Sequence, residues 1–135
     1  MSSFSEIADR LLSCLTSGEL DVAASLCAPD VTVRQNGGRS RSFEAVAEQV
    51  RAIRRVAPDW RFENPVRGET EWGFVEEHDS CGTLPDGTTF RFAICNVATI
   101  ENGLITSIRE YLDSARAKPL TDAMIAAAAS GEPVG

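Results

Sequence analysis

The stretch Asn102-Gly103-Leu104-Ile105-Thr106-Ser107-Ile108-Arg109-Glu110-Tyr111-Leu112-Asp113 decides how this chain is read. Its Asn-Gly pair suits a tight hairpin connection, and the residues after it have the make-up of a strand. Side chains alternate across a sheet, so Ile108, Glu110 and Leu112 share one face while Arg109, Tyr111 and Asp113 share the other. A glutamate therefore stands between two apolar residues, and two readings follow. If that face lines the interior, desolvation disfavours the charged carboxylate and equips Glu110 to donate or remove a proton near neutral pH. If it faces outward, Glu110 pairs with Arg109 or with an arginine of a neighbouring strand.

Working back from this strand, Thr88 to Ile100 and Glu71 to Leu84 are also strand-like, joined by Pro85-Asp86-Gly87. Their length calls for a strongly curved sheet with a bulge. A strand from Trp60 to Val66 completes a meander. The first half of the chain is mostly helical. Phe4, Ile7, Ala8, Leu11 and Leu15 form one face of a helix over 4–17, which Gly18 stops. A second short helix runs from Glu19 to Cys27, and Ala28-Pro29-Asp30 breaks it. Val31-Thr32-Val33 reads as a short strand and Asn36-Gly37-Gly38 as a turn. Ser42 is placed to cap a helix from Phe43 to Val56 with Ala45, Val46, Val50, Ile53 and Ala57 on its apolar face. Pro119 is read as opening a last helix, Leu120 to Ala129, before a loose tail over 130–135.

Helices early and strands late make an α+β pattern, without the alternation of a parallel sheet. Helices packed over the concave face of a curved antiparallel sheet form a cone whose open end is a pocket. At 135 residues, with neither repeat nor linker, residues 1–135 read as one domain with an ordered core over about 4–128.

Composition narrows the function. The formal charge is −7, from 20 carboxylates against 13 Lys and Arg, which repels phosphate backbones and anionic lipid. Nucleic acid and membrane are therefore poor partners, and with no signal peptide pattern at the start the chain is expected in the cytoplasm. Cys14, Cys27, Cys81 and Cys95 form no C-x-x-C, and with one histidine a zinc site is not expected. They read as reduced, partly buried thiols. Glycine-rich phosphate loops and nucleophile-elbow motifs are missing. Carboxylates and His78 remain as candidate chemistry. In Val75-Glu76-Glu77-His78-Asp79-Ser80-Cys81-Gly82, alternation sets Glu77, Asp79 and Cys81 on one face and Glu76, His78 and Ser80 on the other. Glu77 and Asp79 are either an acid pair in a pocket or a solvated strand face. His78 is either a proton-transfer group or a hydrogen-bonded structural histidine.

The run Gly82-x-Leu84-Pro85-Asp86-Gly87 followed by Asn102-Gly103-Leu104-Ile105-Thr106-x-Ile108-Arg109-Glu110-Tyr111-Leu112-Asp113, with helices ahead of it, resembles the SnoaL-like branch of the nuclear transport factor 2-like superfamily. That superfamily holds ketosteroid isomerases, limonene epoxide hydrolases and polyketide cyclases. The resemblance covers about residues 4–128 and implies a cone with a deep, mostly apolar pocket, in a homodimer built on the outer sheet face. It carries the first Asp of the epoxide hydrolases onto Glu110 and their Arg-x-Asp pair onto Glu77-His78-Asp79, with the Arg replaced by Glu77. The residues that hold the attacking water there fall near Val33 and Gln35. Isomerase and cyclase chemistry asks for less: one pocket carboxylate as base and a donor for the developing enolate.

Together these readings imply a small cofactor-free pocket enzyme acting on an apolar, carbonyl-bearing or cyclic small molecule, of isomerase, cyclase or dehydratase type. Glu110 is the principal acid/base, with Asp79, Glu77 and His78 as polar partners. Gln35, Leu11, Leu15, Val50, Ile53, Trp60, Phe90, Phe92, Ile108 and Leu112 are the expected wall. A non-catalytic ligand-binding or dimerisation module is the second reading, and epoxide hydrolysis the third.

Overall fold

A computed structural model describes residues 2–130; the tail expected beyond Ser130 lies outside the described residues. The elements are α1 (Phe4–Ser17), α2 (Leu20–Ser25), β1 (Cys27–Gln35), α3 (Phe43–Val56), β2 (Arg61–Glu69), β3 (Gly73–Thr83), β4 (Thr89–Glu101), β5 (Leu104–Leu112) and α4 (Ser114–Ala129). The expected α+β architecture is present: a curved, unclosed sheet of five strands in the order β1-β5-β4-β3-β2, with helices packed against it.

Local chemistry sets the helix ends. The Ser3 hydroxyl accepts the Glu6 N–H, and Gly18, at φ 83°, returns its own N–H to the Cys14 carbonyl. The Ser42 hydroxyl caps α3 by accepting the Ala45 N–H, as its sequence position suggests. The last helix differs from expectation. It begins at Ser114, because Asp113 accepts the Ala115 N–H, and Pro119 sits inside it. Burial of Ala117 and Leu120 on either side of the proline carries the helix through the loss of one backbone bond.

The first strand also departs from expectation. It is longer than Val31-Thr32-Val33 and runs through Pro29, which is tolerated because β1 is an edge strand. It pairs with β5 in parallel, so the sheet is antiparallel only from β5 to β2. The expected bulge in the two long strands is absent from their mutual pairing, which is unbroken from Gly73↔Thr99 to Thr83↔Thr89. Register shifts lie elsewhere: in β2 between Glu63 and Val66, where Asn64 takes φ 56°, and between β4 and β5 at Thr99/Ile100.

Register also decides what meets across the sheet. One transverse row runs Arg67–Glu76–Asn96–Glu110–Gln35, one residue from each strand, all on the same face. On one side of it lies the row Phe74–Ala98–Ile108–Val33, and on the other His78–Ile94–Leu112. The buried apolar residues fall into two clusters. One joins α1 and α2 to Phe74, Ala98, Ile100 and Ile105; the other joins α3 and α4 to Trp60, Phe90, Phe92 and Ile94. The polar row runs along the seam between them. No helix among the described residues is long and apolar enough to cross a membrane.

Candidate active site

At that seam the sheet and the helices α1, α3 and α4 enclose a cavity of about 140 Å³. Leu11, Leu15, Val50, Ile53, Trp60, Phe92, Ile108 and Leu112 line it as expected, and so do Val33 and Gln35. Phe90 does not. It lies two residues nearer the β3–β4 hairpin than Phe92, opposite Gly82, and stacks on Phe92 with ring centroids 6.0 Å apart, as plain core. The sequence reading missed Phe62, Phe43, Arg41 and Asn96, which also reach the cavity.

Glu110 lines this largely apolar space. Burial pushes its carboxyl above the ordinary glutamate value, outweighing the opposite pull of the Arg41 guanidinium and His78. Arg41 is held at the wall by a backbone bridge to Val33 and donates to the Gln49 side-chain oxygen. Asn96, directly opposite Glu110 on β4, is buried and polar.

His78 also faces the cavity, and it is 1% exposed. Its ring stacks on Phe62, centroids 4.0 Å apart at 29°. Nδ1 lies 2.9 Å from Glu76 Oε2, whereas Nε2 is buried with no hydrogen-bond partner among the described residues. The second oxygen of Glu76 accepts from Arg67 Nε. Arg67 Nη1 in turn donates to Ser5 O and Oγ, both at 3.1 Å, and to Asp9 Oδ1 at 2.7 Å. A chain of charge thus runs from the exposed Asp9 on α1 through the part-buried Arg67 of β2 to the buried Glu76 and His78 of β3. Ser80, the next inward residue of β3, is occupied by the Trp60 indole N–H at 2.9 Å.

Glu77 and Asp79 are on the opposite, convex face, and the structure does not bring them to Glu110. Asp79 accepts from Asn64 Nδ2 and Arg91 Nη1, both at 3.0 Å, and the Asn64 bond leads in holding its carboxyl below the usual range. Glu77 is exposed. The inward positions of β3 are Glu76 and His78, one residue before Glu77 and Asp79, a step that in a strand reverses the face. The missed signal was in the hairpin. Pairing about Pro85-Asp86-Gly87 sets Glu76, His78 and Ser80 against Asn96, Ile94 and Phe92, the apolar side of β4. Tyr111 is 45% exposed on the convex face, away from Glu110. The cysteines are free thiols, and burial pushes Cys27, in the cavity wall, up to about 11, which keeps it neutral. Among the described residues no group of three or more His, Cys, Asp or Glu side chains is placed to hold a metal ion.

Residues 8–108, most of the chain, match the SnoaL-like domain family. The chain belongs to that family. The family match ends before Glu110. The fold of this SnoaL-like protein recurs in solved structures of low identity. IdmH from Streptomyces antibioticus, a candidate polyketide cyclase, is 18% identical with a TM-score of 0.75, over 90% of this chain and 99% of that one. PrhC from Penicillium brasilianum is 13% identical with a TM-score of 0.78, over 91% and 88%. A candidate polyketide cyclase from Pseudomonas putida is 16% identical with a TM-score of 0.72, over 84% and 93%. No curated protein sequence matches the chain significantly.

Proposed function

We propose that this SnoaL-like protein is a small enzyme, working without a cofactor, that moves protons on an apolar, carbonyl-bearing or cyclic small molecule in an isomerisation, cyclisation or dehydration. The observation that carries this reading is the pairing, in one apolar cavity, of a carboxyl biased by burial toward its protonated form with an unpartnered imidazole nitrogen. Glu110 gives its proton to the carbonyl oxygen as the adjacent C–H bond loses its own proton to a base. The C–H electron pair becomes the C=C bond of an enol, and returning the proton at another carbon completes an isomerisation. Named cyclases among the fold's neighbours are in keeping with this chemistry.

The test is deuterium incorporation into 2-tetralone, an apolar bicyclic ketone, incubated with the protein in D2O and followed by mass spectrometry. Exchange faster than in buffer, lost in Glu110→Gln, is expected. Saturable binding of the ketone without exchange would favour a non-catalytic ligand-binding module instead. Absence of both would remove the reading.

We propose further that the protein acts in the cytoplasm as a homodimer through its convex sheet face. There the register lines up Val66, Glu77, Cys95 and Tyr111, with Val66 66% and Tyr111 45% exposed. On this reading its partners are an apolar ligand and a second copy of itself; the charge of −7 is poorly suited to nucleic acid or membrane. Sedimentation giving a single-chain mass at tens of micromolar, roughly the working range for such assays, would contradict the dimer.

A further inference from the structure

We propose that Arg67 and Glu76 are positioning residues that fix the tautomer of His78. Nδ1 carries the ring proton and Nε2 presents a bare lone pair to the cavity, which makes His78 the base and Glu110 the proton donor. The division of roles rests on the function proposed above; the tautomer does not.

The hydrogen-bond inventory carries the inference. Glu76 is 1% exposed, and each of its oxygens is claimed, one by Arg67 and one by His78. An ionised carboxylate only accepts, so the ring nitrogen facing it at 2.9 Å must donate. The other oxygen of that carboxylate accepts from the Arg67 guanidinium, a charge-assisted pairing, and Arg67 is itself tied to Ser5 and Asp9 on α1. A proton on Nε2 would have no acceptor, because that atom is buried and unpartnered. The Phe62 ring packs on the face of the imidazole, leaving its ring edge for hydrogen bonding. What remains is one tautomer, on a residue that lines the cavity. Glu76 does not line that cavity and acts only through His78.

The step balances with the groups present. The substrate C–H proton passes to Nε2, the freed electron pair forms the enol C=C bond, and the carbonyl oxygen takes the proton of Glu110. An imidazolium is left facing the Glu76 carboxylate and a carboxylate at Glu110; return of both protons restores the site.

His78 is the only histidine in the chain, so its state is directly readable. The full-length protein labelled with ¹⁵N-histidine is recorded in long-range ¹H–¹⁵N spectra at neutral to mildly alkaline pH. The wild type is expected to show Nδ1 protonated and Nε2 bare. In Glu76→Gln, Arg67 keeps the amide oxygen and the amide NH2 turns to the ring, so the tautomer should reverse. A wild-type ring protonated on Nε2, alone or with Nδ1, overturns the proposal without any variant, and so does an unchanged tautomer in Glu76→Gln. The base role predicts that Glu76→Gln lowers tetralone exchange by roughly 10²-fold or more, the scale of a general base, with ketone binding unchanged. Exchange that survives in Glu76→Gln refutes that role. If the wild type shows no exchange at all, the base role falls with the proposed function, while the spectra still decide the tautomer.

Discussion

Replacing Arg67 by methionine removes a guanidinium while keeping most of an unbranched, largely apolar side chain. The Arg67 side chain is 18% exposed and that of Glu76 2%, so the pair lies within the protein. Without Arg67, Glu76 stays buried with only the His78 N–H for company. Breaking such a pair from one side costs about 3–5 kcal/mol, mostly the penalty of the charge left behind. The lost bonds to Ser5 and Asp9 add about 1 kcal/mol more, since Asp9 is largely exposed. A domain of this size holds about 5–15 kcal/mol in all, so the variant should fold but weakly. At roughly 3–5 °C per kcal/mol, Tm should fall by about 12–30 °C. Urea unfolding followed by tryptophan fluorescence measures the loss. The decisive comparison is Arg67→Met combined with Glu76→Gln. Neutralising the orphaned charge should return at least half of the lost stability, although a second polar contact has been changed. A single variant within about 1 kcal/mol of wild type would show that the pair is not the buried ion pair described. A double variant no more stable than the single would show that orphaned charge is not the cause.

Other perturbations probe the rest of the site and the sheet. Glu110 has a folded-state proton affinity above its ordinary value of 4.5, so over the window above 4.5 the native state binds more protons than the unfolded one. Stability from this group therefore falls as pH rises through that window, and Glu110→Gln should gain on wild type across it, then hold a constant advantage; parallel urea-derived stability–pH curves would refute the burial of this carboxyl. Gly73→Ala would place a Cβ 1.9 Å from the Ala98 carbonyl oxygen, a backbone atom that cannot step aside, whereas Gly68→Ala meets nothing within 4 Å. The first should cost about 2–4 kcal/mol and the second under about 0.5 kcal/mol by chemical denaturation; equal costs would contradict the β3–β4 register. Ser80→Ala leaves the buried Trp60 indole N–H unpaired and should cost about 1–3 kcal/mol, with Trp60→Phe in the same background recovering part of it in a thermal melt.

Much of this arrangement was legible in the sequence, for reasons that differ from element to element. Ser42 and Asn102-Gly103 act through local geometry, so the helix and the hairpin they specify stand where expected. Glu110 was legible because Ile108 and Leu112 flank it on its own face, and the structure places all three in the cavity wall. Glu77 and Asp79 failed for the opposite reason. Their strand alternates polar residues on both faces, so its own pattern does not say which side is inward, and the answer sits in β4 across the hairpin. Arg67 and Arg41 lie beyond any local pattern, because a bulged edge strand and an isolated bridge bring them to their partners. The same holds for α4, where a cap at Asp113 and tertiary burial overrode the proline.

The site lies where the core is divided. One apolar cluster closes beneath α1 and α2, the other beneath α3 and α4, and the row Glu76–Asn96–Glu110 crosses the sheet between them. Stability alone would favour filling that seam with aliphatic side chains, since replacing buried charge by well-packed apolar groups is commonly neutral or favourable. Here the seam instead holds a carboxyl destabilised in its charged form and an imidazole nitrogen with no hydrogen-bond partner among the described residues. Both features cost free energy, and on the proposed function a ligand that supplies a polar group to each offsets that cost. On the proposed function, residues of the two clusters set the shape of what enters, and Glu110 and His78 set what happens to its protons. Substitutions in Leu15 or Phe92 should accordingly change which ligand fits, whereas Glu76 and Glu110 act on the chemistry whatever the ligand's outline.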